Sequence, residues 1–290
     1  MKKSAFLFII AAGVLWGTSG LFVNFLAPYG FSSLQMTAAR GVVSAIAMAV
    51  YTFFYDRKLF RASGWELLLF ALSGVSMFAT ASSYYTAMQY TSVSTAVVLM
   101  YTAPIFVMAY SVAFFGEKLT KLKLISVLGM LVGCALVSGI VGGLKWSAFG
   151  IFMGFVSGIT YSAYNIFTKI QMRRPCHPIT ATLYCLIFMA CLALSVSHPG
   201  EMVATAMQKP ALLFPMLVAL GICTCVLPYF LYTLALKALP VGTAAALGIV
   251  EPMAATVFSV ILLGEPLGLF PAIGIILILG SVFLLSRGDT

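Results

Sequence analysis

The segment Gly242–Glu265, GTAAALGIVEPMAATVFSVILLGE, decides how this chain folds. It is long and apolar enough to cross a bilayer, yet it carries a carboxylate at Glu251 and a proline at Pro252 near its middle. A charge at that depth is costly unless it faces a cavity or a partner. The proline also leaves the carbonyl of Gly248 without its helical donor, which is tolerated only where protein or water satisfies the backbone. We therefore predict a membrane span with a functional site at its centre.

A copy of this segment lies 148 positions earlier in the chain. The 36 residues of Tyr84–Leu119 match Tyr232–Leu267 at 12 positions without a gap. The matched pairs include Tyr84 and Tyr232, Pro104 and Pro252, Gly116 and Gly264, and Glu117 and Glu265. Two apolar helices share leucine and valine by chance, but not a mid-helix proline and a terminal Gly-Glu at one offset. The chain is therefore predicted to be a duplication, in which Ala103 stands where the second copy has Glu251.

The beginnings of the two halves are also related, at an offset of 141. At that offset the first half aligns with the second at three positions: Gly13 with Gly154, Gly17 with Gly158, and Asn24 with Asn165. The two offsets differ because the linkers have diverged in length. We place the first repeat at residues 1–143 and the second at residues 144–290.

The composition indicates an integral membrane protein. Hydrophobic residues make up 62% of the chain, charged residues 8%, and the mean hydropathy is +1.09. A soluble domain of this length cannot solvate such a surface. The net charge of +9 does not indicate nucleic-acid binding, because the lysines and arginines sit in short loops, where they act as topology signals. The cysteines form no CxxC pattern and are interpreted as small core residues.

Ten apolar segments are predicted to cross the membrane as helices. They lie at about 4–26, 32–55, 65–88, 92–115, 121–141, 147–169, 178–198, 211–236, 242–263 and 268–286. The first begins like a signal peptide, with Lys2 and Lys3, but its apolar run extends to Leu26 and is too long for one. The fold class expected is an all-α polytopic membrane protein of ten transmembrane helices in two five-helix repeats.

The basic residues predict the orientation of these spans. With the N-terminus in the cytoplasm, 13 of the 16 lysines and arginines lie on the cytoplasmic side, Lys145 and Lys209 lie outside, and Arg40 lies within a span. Both termini are therefore predicted to be cytoplasmic, in the cell membrane. An odd number of spans per repeat makes the second repeat inverted, so that Gly116-Glu117 faces the cytoplasm and Gly264-Glu265 the outside.

Polar and aromatic side chains recur at helical spacing on several spans and predict a substrate cavity. Lining a cavity and packing between helices both remain open for them. The predicted cavity residues are Trp16, Asn24, Arg40, Thr80, Tyr84, Tyr101, Tyr161, Asn165, Tyr229, Tyr232 and Glu251. The glycines on the same faces are instead predicted to serve helix–helix packing. The predicted helix breaks, and candidate hinges, are Pro104, Pro228 and Pro252.

Two charged residues within the spans are the main candidates for function. Glu251 is a candidate for proton coupling or for binding a substrate amine; the alternative is a protonated side chain that donates to the carbonyl of Gly248. Arg40 lies about 12 Å into its span at 1.5 Å per residue. It is predicted to bind a substrate carboxylate, to pair with Glu251 or to tether exposed carbonyls. Lys169 and Lys237, near helix ends, are expected to snorkel to the interface.

Motifs for other chemistries are absent from the sequence. It contains no GxxxxGK[ST] for nucleotide hydrolysis, no HExxH or CxxC, and no paired intramembrane carboxylates for a metalloenzyme. The sequence therefore predicts no enzyme, no cofactor and no metal site.

Three stretches resemble the EamA-type branch of the drug/metabolite transporter superfamily, in both halves of the chain. They are IVEPMAATVFSVILLGEPL (249–267), YTAPIFVMAYSVAFFGEKL (101–119) and GVLWGTSGLFVNF (13–25). The resemblance implies ten helices in an inverted five-plus-five repeat, with a central cavity lined largely by spans one to four and six to nine. It also implies transport of amino acids, related metabolites, purines or toxic organic compounds, commonly outward.

The function expected is that of a secondary-active transporter, in particular an amino-acid or metabolite exporter working by alternating access around a midplane site. The alternatives are a passive facilitator or channel and, disfavoured by the missing catalytic cluster, a polytopic membrane enzyme. The expected partners are a small-molecule substrate, the lipid bilayer and coupled protons, without nucleic acid. The expected assembly is a monomer or a homodimer.

Overall fold

Helices form the fold in the residues that the computed structural model describes, which are 2–91, 93–139, 147–264 and 266–288. In chain order they are α1 (Lys2–Gly17), α2 (Ser19–Leu26), α3 (Ser33–Tyr55), α4 (Gly64–Tyr90), α5 (Val93–Met100), α6 (Ala103–Phe115), α7 (Lys121–Val137), α8 (Ala148–Met172), α9 (Pro178–Val196), α10 (Pro199–Ala206), α11 (Pro210–Gly221), α12 (Leu227–Leu236), α13 (Val241–Leu247), α14 (Val250–Leu263) and α15 (Leu269–Gly288). No strand occurs in these ranges. The predicted repeat boundary at 143/144, Lys145 and Glu265 lie outside them.

Eight helical stretches of the described chain are long and apolar enough to cross a membrane. They are Ser4–Tyr29, Ser33–Tyr55, Gly64–Tyr90, Thr95–Phe115, Pro178–Val196, Pro210–Leu236, Val241–Leu263 and Leu269–Ser286. The other two predicted spans correspond to α7, which has only 17 residues, and to α8, which carries many polar side chains. Both pack among the apolar helices, α7 against α15 and α8 against α4. The all-helical membrane fold is therefore confirmed, and the count of ten spans stays a prediction.

Three of the apolar stretches are interrupted next to the predicted prolines. α5 and α6 are separated by a turn at Tyr101 and Thr102, just before Pro104. α13 and α14 are separated at the corresponding place, just before Pro252. A π-helical turn, Ile222–Val226, precedes Pro228 and joins α11 to α12. Each proline lacks the N–H that would continue the helix, so the breaks have a local cause. Their action as hinges stays a prediction.

The glycine of each Gly-Glu motif ends the helix that follows the break. α6 and α14 both stop at a glycine in the left-handed region, Gly116 (φ 67°) and Gly264 (φ 70°). Residues with a Cβ rarely adopt this conformation, which is why glycine is needed here. The turn at Gly116 directs the following residue, Glu117, back toward the bundle, where it contacts α13.

Glycines on α1 and α8 allow close helix contacts at equivalent places in the two halves. A Cβ on Gly17 would lie 2.8 Å from Ala254 Cβ and 3.0 Å from the carbonyl oxygen of Glu251. In the second half of the chain, a Cβ on Gly158 would lie 2.9 Å from the carbonyl oxygen of Leu99. α1 therefore approaches α14 as α8 approaches α5. The prediction that these glycines serve helix packing is confirmed.

We expect Gly17→Ala to destabilise the protein and Gly20→Ala to leave its stability unchanged or slightly higher. The added methyl of the first variant collides with α14, and such overpacking costs about 1–3 kcal/mol. A methyl group added at Gly20 would meet no atom within 4 Å, so this variant gains only the better helix propensity of alanine. Thermal unfolding of both proteins in the same detergent measures the difference. Equal melting temperatures would contradict the close α1–α14 contact.

Polar contacts gather at one end of the bundle, which we call the basic end. There the Gln171 amide donates to the carbonyl of Leu69 at 3.0 Å, and Thr180 donates to the carbonyl of Leu59 at 2.9 Å. The backbone N–H of Val241 donates to Glu117 Oε1 at 3.0 Å. These contacts join the segments at 57–61, 115–123, 169–180 and 236–241, which hold most of the basic residues predicted to face the cytoplasm.

The contact between Glu117 and Val241 also bears on the relation of the two repeats. Glu117 follows the end of α6, whereas Val241 begins α13, yet both lie at the basic end. In the alignment of the copies, the end of α6 corresponds to the end of α14 and not to the start of α13. This is the relation expected if equivalent helices run in opposite directions, as inverted repeats require, and the inversion stays a prediction.

Candidate functional site

The two helix breaks meet through a tyrosine and a carboxylate. The Tyr101 hydroxyl, at the break before α6, donates to Glu251 Oε2 at 2.6 Å and lies 3.4 Å from the carbonyl oxygen of Gly248. The backbone N–H of Glu251 donates to that same carbonyl at 3.0 Å. The carbonyl that Pro252 leaves free is thus satisfied without the Glu251 side chain. The alternative in which a protonated Glu251 donates to Gly248 is not what the structure contains.

Arg40 lies in α3 and is partly exposed, in the electrostatic field of Tyr85, Tyr229 and Glu251. Its Nε is buried without a hydrogen-bond partner. Within the described residues, the one ion pair closer than 4.0 Å joins Lys123 to Glu117, so Arg40 is not paired with Glu251. Nor does its side chain bond to a carbonyl in this part of the chain, as a structural tether would. The geometry leaves a guanidinium free for an anion.

An aromatic cluster lies beside Arg40. The Trp16 ring is 5.1 Å from the ring of Tyr229 and 5.6 Å from that of Tyr232, between centroids. Tyr164, which the sequence analysis did not select, stands 5.6 Å from Tyr229. The Trp16 indole Nε1 is buried and has no acceptor. Buried indole N–H groups normally find a hydrogen-bond partner. We therefore interpret this donor and Arg40 Nε as sites for an acceptor that the protein itself does not supply.

Three of the predicted cavity residues are buried in one hydrogen-bonded group. The Tyr232 hydroxyl donates to Asn165 Oδ1, and the Asn165 amide donates to the carbonyl of Tyr161 at 2.6 Å. The side chains of Asn165 and Tyr232 have no exposed surface, and that of Tyr161 has little. This group lies between α8 and α12, on the basic-end side of the aromatic cluster.

Of the remaining predicted residues, Tyr84 lies within electrostatic range of Glu251, whereas Thr80 and Asn24 lie elsewhere. Thr80 Oγ1 lies 3.0 Å from Thr160 Oγ1, within the contact of α4 and α8. Tyr84 is half-buried and stacks at a tilt on Tyr85, with ring centroids 5.8 Å apart. Asn24, on α2, is exposed. Of the predicted set, the structure therefore gathers seven residues around one centre, with Asn165 and Tyr232 on its basic-end side: Trp16, Arg40, Tyr84, Tyr101, Tyr161, Tyr229 and Glu251.

The region between this centre and the basic end is closed. It holds a cavity of about 10 Å³, the size of one water molecule, lined by Tyr164, Gln171, Cys185 and Tyr229 among others. Lys169 donates to the carbonyls of Leu236 at 2.7 Å and Leu239 at 2.5 Å. The expectation that Lys169 snorkels to the interface is wrong, because the last carbonyls of the α12 segment offer its ammonium buried acceptors.

A surface depression of about 430 Å³ lies between the end of α8 and the start of α9, lined by Arg174, Cys176, His177 and Lys237 among others. Burial raises the pKa of the Cys176 thiol to about 11, with Glu66 adding to the effect. Burial, and then Lys237, lowers the pKa of His177. None of the predicted site residues lines this depression. Across the described ranges, no three of the histidines, cysteines and acidic residues come close enough to hold a metal ion.

A bundle of apolar helices, broken at its centre around an unpaired arginine and a partly buried carboxylate, is typical of a membrane transporter. The chain belongs to the EamA-like transporter family, which it matches over residues 3–139 and 148–287. This agrees with the drug/metabolite transporter superfamily named from the sequence.

Two relatives and one solved structure are similar to this chain over nearly its whole length. An uncharacterized transporter of Clostridium kluyveri is 23% identical over 97% of this chain and 92% of its own length. An uncharacterized transporter of Archaeoglobus fulgidus is 27% identical over 96% of this chain and 95% of its own. A protein crystal structure with 18% sequence identity matches at a TM-score of 0.81, covering 100% of this chain and 98% of that one. At that identity the likeness shows the fold alone.

Proposed function

We propose that the chain is a secondary-active transporter of small zwitterionic metabolites, in particular amino acids, which it exports across the cell membrane. The observation that carries the proposal is Arg40, a guanidinium inside the membrane with neither an ion-pair partner nor a carbonyl to bind among the described residues. A charge in this position is retained for a function, because an unpaired cation is costly in a bilayer. A substrate carboxylate would neutralise it and accept from its planar fork of N–H donors.

The other groups around Arg40 suit the rest of such a substrate. The free Trp16 Nε1 provides a second donor for the carboxylate. The faces of Trp16 and Tyr229 provide an apolar and aromatic surface that favours a cation or an apolar side chain. Glu251 is an acceptor for an ammonium group and is also the candidate for proton coupling. An amino acid has each of these features in one small molecule.

The closed basic end favours alternating access over a channel. Buried hydrogen bonds from Lys169 and Tyr232 and the ordered contact of Glu117 with α13 block that side, and an ungated facilitator needs a continuous path. We assign the basic end to the cytoplasm because of its lysines and arginines, with ten spans and both termini on that side. The assembly proposed is a monomer or a homodimer.

The test is transport by the purified protein in liposomes. Uptake of labelled amino acids should saturate with concentration, and liposomes preloaded with unlabelled substrate should show counterflow. Empty liposomes and the Arg40→Gln variant serve as controls. Flux that rises linearly with concentration and shows no counterflow would establish a channel, whereas chemical conversion without translocation would establish an enzyme.

A further inference from the structure

The bond between Tyr232 and Asn165 is one of three that fasten α8 to the α12 segment. The Asn165 amide nitrogen donates to Tyr161, so its oxygen is left to accept from the Tyr232 hydroxyl. One turn further along α8, Lys169 donates to the carbonyls of Leu236 and Leu239. All of these groups are buried. The two helices cannot separate at the basic end without exchanging these bonds for water.

The sequence contains a second copy of the tyrosine–asparagine pair. The offset of 148 takes Tyr232 to Tyr84, and the offset of 141 takes Asn165 to Asn24. Here the pair is not made. Asn24 is exposed and Tyr84 is half-buried, and neither side chain hydrogen-bonds to any residue in the described ranges. α8 and α12 pack together, but the equivalent helices, α2 and α4, make no comparable contact in this part of the chain.

Inverted repeats give this difference between the two copies a physical reason. In such proteins, alternating access is largely a rocking or gating of one repeat against the other around the substrate site, so contacts at the two ends form in turn. Resting on the transport function proposed above, we propose that Tyr232–Asn165 and Tyr84–Asn24 are alternating locks. The first holds the basic end closed in the present state, and the second closes the opposite end when the basic end opens.

The locks differ in one respect. The position equivalent to Lys169 in the first repeat, at the offset of 141, is Pro28, which has no side-chain donor. The clamp of Lys169 on two carbonyls therefore belongs to the basic end alone. This asymmetry favours the state in which the basic end is closed.

The experiment measures the population of the two states by alkylation of Cys185. This cysteine lines the water-sized cavity on the closed side and is buried, so it reacts only when the basic end opens. The other cysteines are replaced by alanine or serine: Cys134, Cys176, Cys191, Cys223 and Cys225. The protein is labelled with a maleimide in nanodiscs, without substrate.

We expect the two tyrosine variants to act in opposite directions. Tyr232→Phe removes the lock of the closed side and should raise the rate of Cys185 alkylation about fivefold, the effect of one hydrogen bond. Tyr84→Phe removes the lock of the other state and should lower the rate by about the same factor. The double variant should return close to the starting rate. Tyr51→Phe, at an exposed tyrosine of α3, should change nothing.

General loosening of the fold would raise the rate in every variant, so the opposite sign of Tyr84→Phe is decisive. This residue is only half-buried, and its variant tests the proposal even if Tyr232→Phe fails to fold. An unchanged or raised rate in Tyr84→Phe overturns the alternating locks. Because labelling needs no substrate, the locks stand if the rates shift as expected but no saturable flux is found, and the transport proposal then fails by itself.

Discussion

With glutamine in place of Arg40, the substrate concentration for half-maximal transport is expected to rise about a hundredfold for a carboxylate-bearing substrate. The guanidinium offers the carboxylate charge and a fork of N–H donors, and glutamine retains only one neutral donor group. The maximal transport rate is expected to change much less, because the substitution lies in α3 and leaves the helix breaks themselves unaltered. Concentration-dependent flux in liposomes measures both quantities.

The thermal stability of the Arg40→Gln protein, measured without substrate, distinguishes a role of Arg40 in substrate binding from a role in the fold. The side chain makes no ion pair or hydrogen bond within the described residues, so its loss breaks nothing and removes an unpaired charge. The melting temperature in detergent should stay the same or rise, while the stabilisation by added substrate disappears. Arg40→Lys should bind with intermediate strength, since it keeps the charge without the fork. Arg61→Gln, in an exposed loop, is the control.

A different outcome would assign Arg40 to the fold. If Arg40→Gln lowers the melting temperature by several degrees and leaves the transport constants unchanged, the guanidinium is a structural tether. The substrate would then need another cation, and the basic residues nearest the centre would have to be tested in its place.

Those features of the fold that depend on sequence neighbours were predictable from the sequence. The repeat offset of 148 placed the breaks before Pro104 and Pro252, because a missing N–H acts within one turn. The glycines of α1 and α8 were correctly assigned to packing, because small residues at helical spacing have few other uses in a membrane. Thr18, by contrast, interrupts the first span between α1 and α2 without a proline, and no local signal marked it.

The sequence could not predict which side chains pair across the bundle. Tyr101 and Glu251 are 150 residues apart, and Lys169 reaches carbonyls 67 and 70 residues away. Each residue was recognisable as polar in an apolar setting, but its partner depends on how the two halves of the chain pack together. For Lys169 this reversed the interpretation, since a lysine near a helix end usually reaches the interface. Glu117 was identified by its motif, and its contact with α13 required the structure.

Glu251→Gln is expected to abolish the substrate accumulation that an imposed pH gradient drives, while counterflow of substrate continues. A glutamine oxygen can still accept from the Tyr101 hydroxyl, so the join between the two helix breaks is kept. An amide cannot take up and release a proton. A gradient of one pH unit drives about tenfold accumulation when one proton is coupled to each substrate, and this drive is what the variant loses. Accumulation and counterflow are measured in the same liposomes.

Two further variants show whether the loss of gradient-driven accumulation in Glu251→Gln comes from the missing proton site or from altered local geometry. Tyr101→Phe removes the hydrogen bond but keeps the carboxylate, and its response to the gradient should persist. Glu201→Gln removes an exposed carboxylate on α10 and should behave like the starting protein. If Glu251→Gln still accumulates substrate under the gradient, the coupled proton is not carried by Glu251. Because the first repeat has Ala103 in the equivalent position, no second carboxylate at the break can replace it, and the coupling proposal would have to be abandoned.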